Sequence, residues 1–188
     1  MEDEDFYEKL RKFIFDDIQS SPVQQLHAGV DSAPLVTYSG GYGGYDIKLS
    51  RGWQLPPLDR HEGFDVLVPS GTPIQLLKPG KVLVRTDEPK GYGWYLVIQI
   101  DGTNDGIVLA HLSAINVRVG DQIASNTIVG ATGGIKGAQG AGNSGGAHLH
   151  YEYRIGVQNK PWITGVAVNP VIVPPSKPIN TLIKLLKP

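Results

Sequence analysis

The stretch Gly146-Ala147-His148-Leu149-His150-Tyr151-Glu152-Tyr153 governs the reading of this chain. Polar and apolar residues alternate through it, the period of a strand with one face in a core. In a strand, residues i and i+2 project from the same face. His148, His150 and Glu152 therefore share one side, with Leu149 and Tyr151 on the other. Two imidazoles converging on one space can bind a metal, or one can bind while the other handles protons. A His-x-His pair alone is weak, because such pairs also occur on exposed strands. Partners elsewhere in the chain decide its meaning.

Two further motifs supply them. Arg60-His61-Glu62-Gly63-Phe64-Asp65 offers a histidine and, four residues on, an aspartate. Leu109-Ala110-His111-Leu112-Ser113 ends a strand-like run with another histidine. Four of the five histidines thus fall in three motifs. The chain has no cysteine, which excludes disulfides, zinc fingers and thiol nucleophiles and leaves histidine and carboxylate to hold any metal. A catalytic zinc takes three protein ligands and keeps one position open. His61, Asp65 and one histidine of the 148/150 pair fill that count, leaving two histidines for general base and acid work.

The rest of the chain frames these motifs. With 188 residues it holds one domain with a full core and terminal additions. Lys plus Arg (17) nearly balances Asp plus Glu (18), for a net charge of −1, which argues against a nucleic-acid partner bound through phosphates. No apolar run approaches the roughly 20 residues that span a bilayer. The start, Met1-Glu2-Asp3-Glu4-Asp5, is acidic where a signal peptide needs a basic start and an apolar core. Phe6, Leu10, Phe13, Ile14 and Ile18 recur at helical steps and predict an amphipathic helix over Glu4 to Ser20. Residues 21–44, closing on Gly40-Gly41-Tyr42-Gly43-Gly44, read as an extended arm. Residues 45–172 form the main domain, of short β-type runs (73–77, 81–85, 94–100, 106–109) separated by Gly-containing turns. Asp101-Gly102 fits a tight hairpin. The small-residue run Gly133 to Gly142 reads as a mobile surface loop bordering the histidine strand. Residues 173–188 are a Pro-rich tail ending in a short helix over Ile179 to Leu186.

The three motifs, His-x-x-x-Asp, His-Leu-Ser and His-Leu-His-Tyr-Glu in this order, resemble the M23 (lysostaphin/LytM-type) zinc metallopeptidases. The resemblance runs from about Ser50 to Pro170 and extends to Pro69-Ser70-Gly71-Thr72-Pro73-Ile74, Gly80-Lys81-Val82, Gly91-Tyr92-Gly93 and Val117-Arg118-Val119-Gly120-Asp121. It implies a mainly β fold, an antiparallel sheet sandwich or open barrel of the duplicated-hybrid type, with the N-terminal helix as accessory. It also implies an endopeptidase that hydrolyses peptide bonds of bacterial peptidoglycan with one Zn2+ per chain. His61, Asp65 and His150 are then the metal ligands, and His111 and His148 the catalytic pair. Glu152 suits an acceptor that orients an imidazole, or a plain ion-paired strand residue. Tyr42, Tyr45, Tyr92 and Tyr95 are candidates for a substrate groove, each more often a strand aromatic. His27 lies outside every motif, an arm residue that could block the zinc. Glu62, next to a ligand, points away if the local backbone is extended, and is set aside. The loop Gly133 to Gly146 is longer than the family's, so no glycyl-glycine preference is carried over.

The expected partners are peptidoglycan peptides, met by a monomer in the cell envelope or outside the cell, after loss of a leader or in phage-associated lysis. The competing reading is a non-catalytic envelope-binding scaffold, disfavoured because all five key positions are present. A lipoyl-carrier-like domain, suggested by Gly-Thr-Pro-Ile and Pro-Gly-Lys-Val, is disfavoured by the histidine cluster.

Overall fold

The computed structural model describes residues 36–42, 45–52, 60–168 and 183–186. The helix expected over 4–20 and His27 lie outside them. Among the described residues there are thirteen strands and no helix. One sheet has the order β1 (Val36–Tyr42), β2 (Tyr45–Arg51), β3 (Phe64–Val66), β11 (Leu149–Ile155), β7 (Gly106–Ala110), β6 (Gly93–Ile100), β5 (Gly80–Glu88) and β9 (Gln122–Ile123), with β12 (Val166–Val168) paired to the far half of β11. The other is β13 (Ile183–Leu185), β4 (Pro73–Leu76), β10 (Thr127–Thr132) and β8 (Leu112–Ile115). The ladders are antiparallel, as the fold class requires.

Burial separates the central strands from the rest. β4 alternates half-buried and buried residues, the mark of one wet face. β7 is buried throughout and β11 nearly so. Leu149, Tyr151 and Tyr153 carry one face of β11 into the core, where Leu96, Ile98, Ile107 and Leu109 are equally sealed. The other face of β11 carries His148, His150, Glu152 and Arg154, all buried although polar. Polar side chains survive there only if each finds a partner.

Three local expectations are corrected. Ile183–Leu185 is a strand, not part of a helix: Ile183 pairs with Leu76 and Leu185 with Ile74. Ile183 and Leu185 are buried on either side of half-buried Lys184, a period of two that satisfies the edge of β4. The turn after β6 is no two-residue hairpin. Residues 101–105 close it, with the Ile100 N–H donating to Asp105 O. Residues Val36–Tyr42, read within the arm, pair with β2.

The glycine-rich run after β10 is exposed over residues 135–139 but packed at Gly140 and Ala141. Gly140 O accepts from Trp94 N–H, Gly91 O accepts from Asn143 N–H (each 2.9 Å), and Ala141 is 1% exposed. Two backbones meet face to face here, which side chains would prevent. A Cβ on Gly140 would stand 2.2 Å from Leu112 O, and its φ is +78°, in the region that favours glycine. Replacing Gly140 by alanine is expected to cost roughly 1–3 kcal/mol in stability from the backbone strain alone. It should also dislodge the neighbouring Ala141 carbonyl. Thermal unfolding of the variant measures the first effect and its hydrolytic rate the second.

Candidate metal and catalytic site

Strand register brings the motifs together. His150 on β11 stands directly opposite Asp65 on β3 and opposite Ala110 on β7. Opposed residues on neighbouring strands share a face at close range, so Asp65 reaches His150 across 85 residues of sequence. His61 lies one short turn before β3. Gly63 makes that turn possible, because a Cβ there would meet Tyr151 O at 2.2 Å.

The resulting trio is tight. Asp65 Oδ1 lies 2.9 Å from His150 Nδ1 and 3.1 Å from His61 Nε2, and the two ring nitrogens are 3.1 Å apart. Among the described residues, His61, Asp65 and His150 form the group whose donor atoms, all within 4.8 Å of one another, could hold a metal ion. The remaining ring nitrogens support that fit. His61 Nδ1–H donates to Gly52 O (2.7 Å), and His150 Nε2–H to Glu152 Oε1 (3.0 Å). In the neutral rings this leaves the inward nitrogen as the one that ligates.

Glu152 is wholly buried. Its Oε1 also accepts from Tyr92 O–H (2.5 Å), and its Oε2 from Arg154 Nη1 (2.5 Å). Arg154 in turn donates to Glu62 Oε2 (3.1 Å), Thr164 O (2.9 Å) and Gly165 O (3.0 Å). Burial raises the Glu152 carboxyl, but bonds to His150, Arg154 and Tyr92 outweigh it and keep its pKa below the ordinary value. Burial likewise raises Asp65, yet the hydrogen bonds from His150 and His61 hold it well below the carboxylate range. Burial lowers His150, but Asp65 and Glu152 overcome this and hold it up to about 9. That imidazole carries a proton which an arriving metal must displace.

His111 and His148 complete the cluster, their ring centroids 4.7 Å apart and His111 5.9 Å from His150. Alternation in a regular strand would turn His111 away from the face of Ala110. Its φ of +58° breaks the alternation, at the point where the chain leaves one sheet for the other. Such strain in a non-glycine residue persists only when its surroundings over-determine it. Here they do: the His111 N–H donates to Tyr92 O and Nδ1–H to Ala141 O, both 2.9 Å. His148 Nδ1–H donates to Gly146 O (2.8 Å), with Ser144 Oγ at 3.1 Å, and its Nε2 stands 3.5 Å from Asp65 Oδ1. Burial first, then the charges of His148 and His150, push His111 down to about 4. It is therefore neutral at neutral pH, with Nε2 free to accept a proton.

All five residues picked from the motifs line one open cleft of about 580 Å³, with Arg51, Arg60, Glu62, Glu88, Tyr92 and Asn143 among its other walls. The expectation for Glu62 is corrected: it lines the cleft, drawn there by Arg154 and by an ion pair with Arg60. Tyr92 lines it also, whereas Tyr95 is a core residue. The side chains of Tyr42 and Tyr45 lie outside the described residues. The sequence reading missed Ser144 and Arg154. Arg154 was open to view as the next residue on the face of His150 and Glu152.

Two histidines and an aspartate around one open side, with two further imidazoles beside them, could hold one metal ion and leave a position open for water. The sequence profile of Peptidase family M23 matches residues 59–170, more than half of the chain, and the chain belongs to that family. It is 30% identical to lysostaphin from Staphylococcus simulans over 113 residues, 60% of this chain and 20% of that protein. It is 30% identical over 157 residues to the DD-carboxypeptidase/endopeptidase Mpg of Neisseria meningitidis serogroup B, 82% of this chain and 31% of that protein. The chain thus spans a fifth to a third of the length of these curated relatives. Its fold matches a mutant catalytic domain of the prophage-encoded M23 protein EnpA from Enterococcus faecalis with a TM-score of 0.56 and 27% identity, covering 74% of this chain and 98% of that one. The catalytic domain of lysostaphin gives a TM-score of 0.54 and 25% identity, covering 72% of this chain and 96% of that one.

Proposed function

We propose that this chain is a zinc-dependent endopeptidase that hydrolyses peptide bonds of bacterial cell-wall peptidoglycan, in the stem peptides or their cross-bridges. The observation that carries the reading is the convergence of His61 Nε2, Asp65 Oδ1 and His150 Nδ1 in a cleft also lined by His111 and His148. The family membership, and a relative named as a DD-carboxypeptidase/endopeptidase, support the peptidase reading.

His61, Asp65 and His150 would hold one zinc. When bound, it supplies Lewis-acid polarisation of the scissile carbonyl and brings the pKa of the attacking water toward ~7. His111 and His148 handle the protons. Each has Nδ1–H tied to a main-chain carbonyl, so the neutral form of each presents an unprotonated Nε2. The one that takes the proton of the water becomes an imidazolium and can return that proton to the leaving amine; the other can serve as the acid only when it too carries a proton on Nε2. The cleft is open, and Gly145 in its wall faces space in which a Cβ would meet nothing of the protein. We assign the peptidase to the domain read over residues 45–172, to which the strands Val36–Tyr42 and Ile183–Leu185 add at the sheet edges, with a cell-envelope or extracellular site of action and a monomer as the working species.

The test is digestion of purified peptidoglycan, following release of new amino groups with and without a chelator. Chelator-sensitive release supports the reading, and intact peptidoglycan in both arms counts against it. Ser144→Ala should lower kcat about tenfold, one hydrogen bond's worth of positioning lost from His148. Zinc content should stay at the wild-type level, and parallel rate and metal assays check both statements.

A further inference from the structure

We propose that Tyr92 is a positioning residue that couples the metal-binding trio to His111. The inference rests on the zinc reading above. Its starting point is that one residue touches both halves of the site. The Tyr92 hydroxyl donates to Glu152 Oε1, the same oxygen that accepts His150 Nε2–H. The Tyr92 carbonyl accepts the His111 N–H. The ring itself lies 5.4 Å from the His150 ring and 5.6 Å from that of Tyr95, and it rests on the buried cluster containing Leu83, Val97 and Val108.

The chemistry of Glu152 explains why the hydroxyl matters. A buried carboxylate orients an imidazole only as firmly as it is itself held. Arg154 fixes Oε2, and Tyr92 is the other protein donor that shares Oε1 with His150. Without the phenol, His150 alone would bond Oε1, and the carboxylate could swing toward Arg154 and carry the imidazole with it. The main-chain contact works on the other half. His111 sits at a positive φ, and the Tyr92 carbonyl is one of the groups that hold it there.

The flanking glycines give the coupling its stiffness. Gly91 O is bonded by Asn143 N–H, and a Cβ on Gly93 would stand 2.1 Å from Gly140 O. Tyr92 is therefore clamped against the loop whose Ala141 carbonyl binds His111 Nδ1–H. Movement of Tyr92 would be felt at both imidazoles.

Tyr92→Phe removes the hydroxyl and keeps the ring on its apolar bed, so the fold should persist, with a melting temperature close to wild type. The measurements are the zinc dissociation constant by chelator competition and the visible absorption of the cobalt-substituted protein, on wild type, Tyr92→Phe and His150→Ala. Turnover on peptidoglycan fragments is read in parallel. The expected result is zinc binding about tenfold weaker in Tyr92→Phe, an altered cobalt spectrum, and a fall in kcat at unchanged KM. Wild-type affinity and an unchanged cobalt spectrum in Tyr92→Phe would overturn the inference and leave the metal reading standing, provided His150→Ala still loses zinc. Failure of the wild-type chain to bind zinc would overturn both.

Discussion

His150→Ala and Asp65→Ala are each expected to lose zinc and hydrolysis together. Both residues present a donor atom to the same point, with Asp65 Oδ1 and His150 Nδ1 only 2.9 Å apart. Losing an outer partner of a metal ligand costs roughly 10–100-fold in affinity or activity. Losing a ligand costs more, because a catalytic zinc is held by three. His150→Ala also strips Glu152 and Asp65 of a hydrogen-bond partner while leaving both carboxylates inside. Some loss of stability therefore accompanies it. Asp65→Asn separates the two effects, since it keeps the shape and discards the charge. Metal analysis and digestion assays on all three variants check the prediction. Zinc at full occupancy in Asp65→Ala would contradict the ligand assignment.

His111→Ala is expected to keep zinc and lose turnover by about 10²–10⁴-fold, the usual worth of a positioned acid or base. Its imidazole is bonded through Nδ1 to Ala141 O, and it is not one of the metal-holding trio. The backbone offers a second readout. At φ +58° a side chain is strained and glycine is not, so His111→Gly should be more stable than His111→Ala by about 1 kcal/mol, with both equally inactive. Equal melting temperatures for the two would show that the strain is not felt. Zinc loss in either would move His111 into the ligand set.

The strand of His148 and His150 was legible because its alternation states which face each residue takes, and the cleft lined by His148 and His150, with Leu149 and Tyr151 in the core, bears that out. Ligand residues of the right types at recognisable spacings were legible too. Register was not, since nothing in either segment says that His150 stands opposite Asp65 rather than Gly63. The acceptors that set the histidine tautomers were hidden for a simpler reason. Gly52, Ala141 and Gly146 act through carbonyls that every residue carries. The loop after β10 misled in the same way, because glycines that read as slack are here the condition for two backbones to touch. Glu62 was misjudged because the cation that draws it inward, Arg154, lies 92 residues away.

Reconstitution of the metal-stripped chain tests the central claim most directly. Zinc is added in known equivalents, and hydrolysis of purified peptidoglycan is followed at each step. The account predicts no hydrolysis before addition and a rise that levels at one equivalent per chain. Hydrolysis that survives complete stripping, or none at any zinc level, would contradict it.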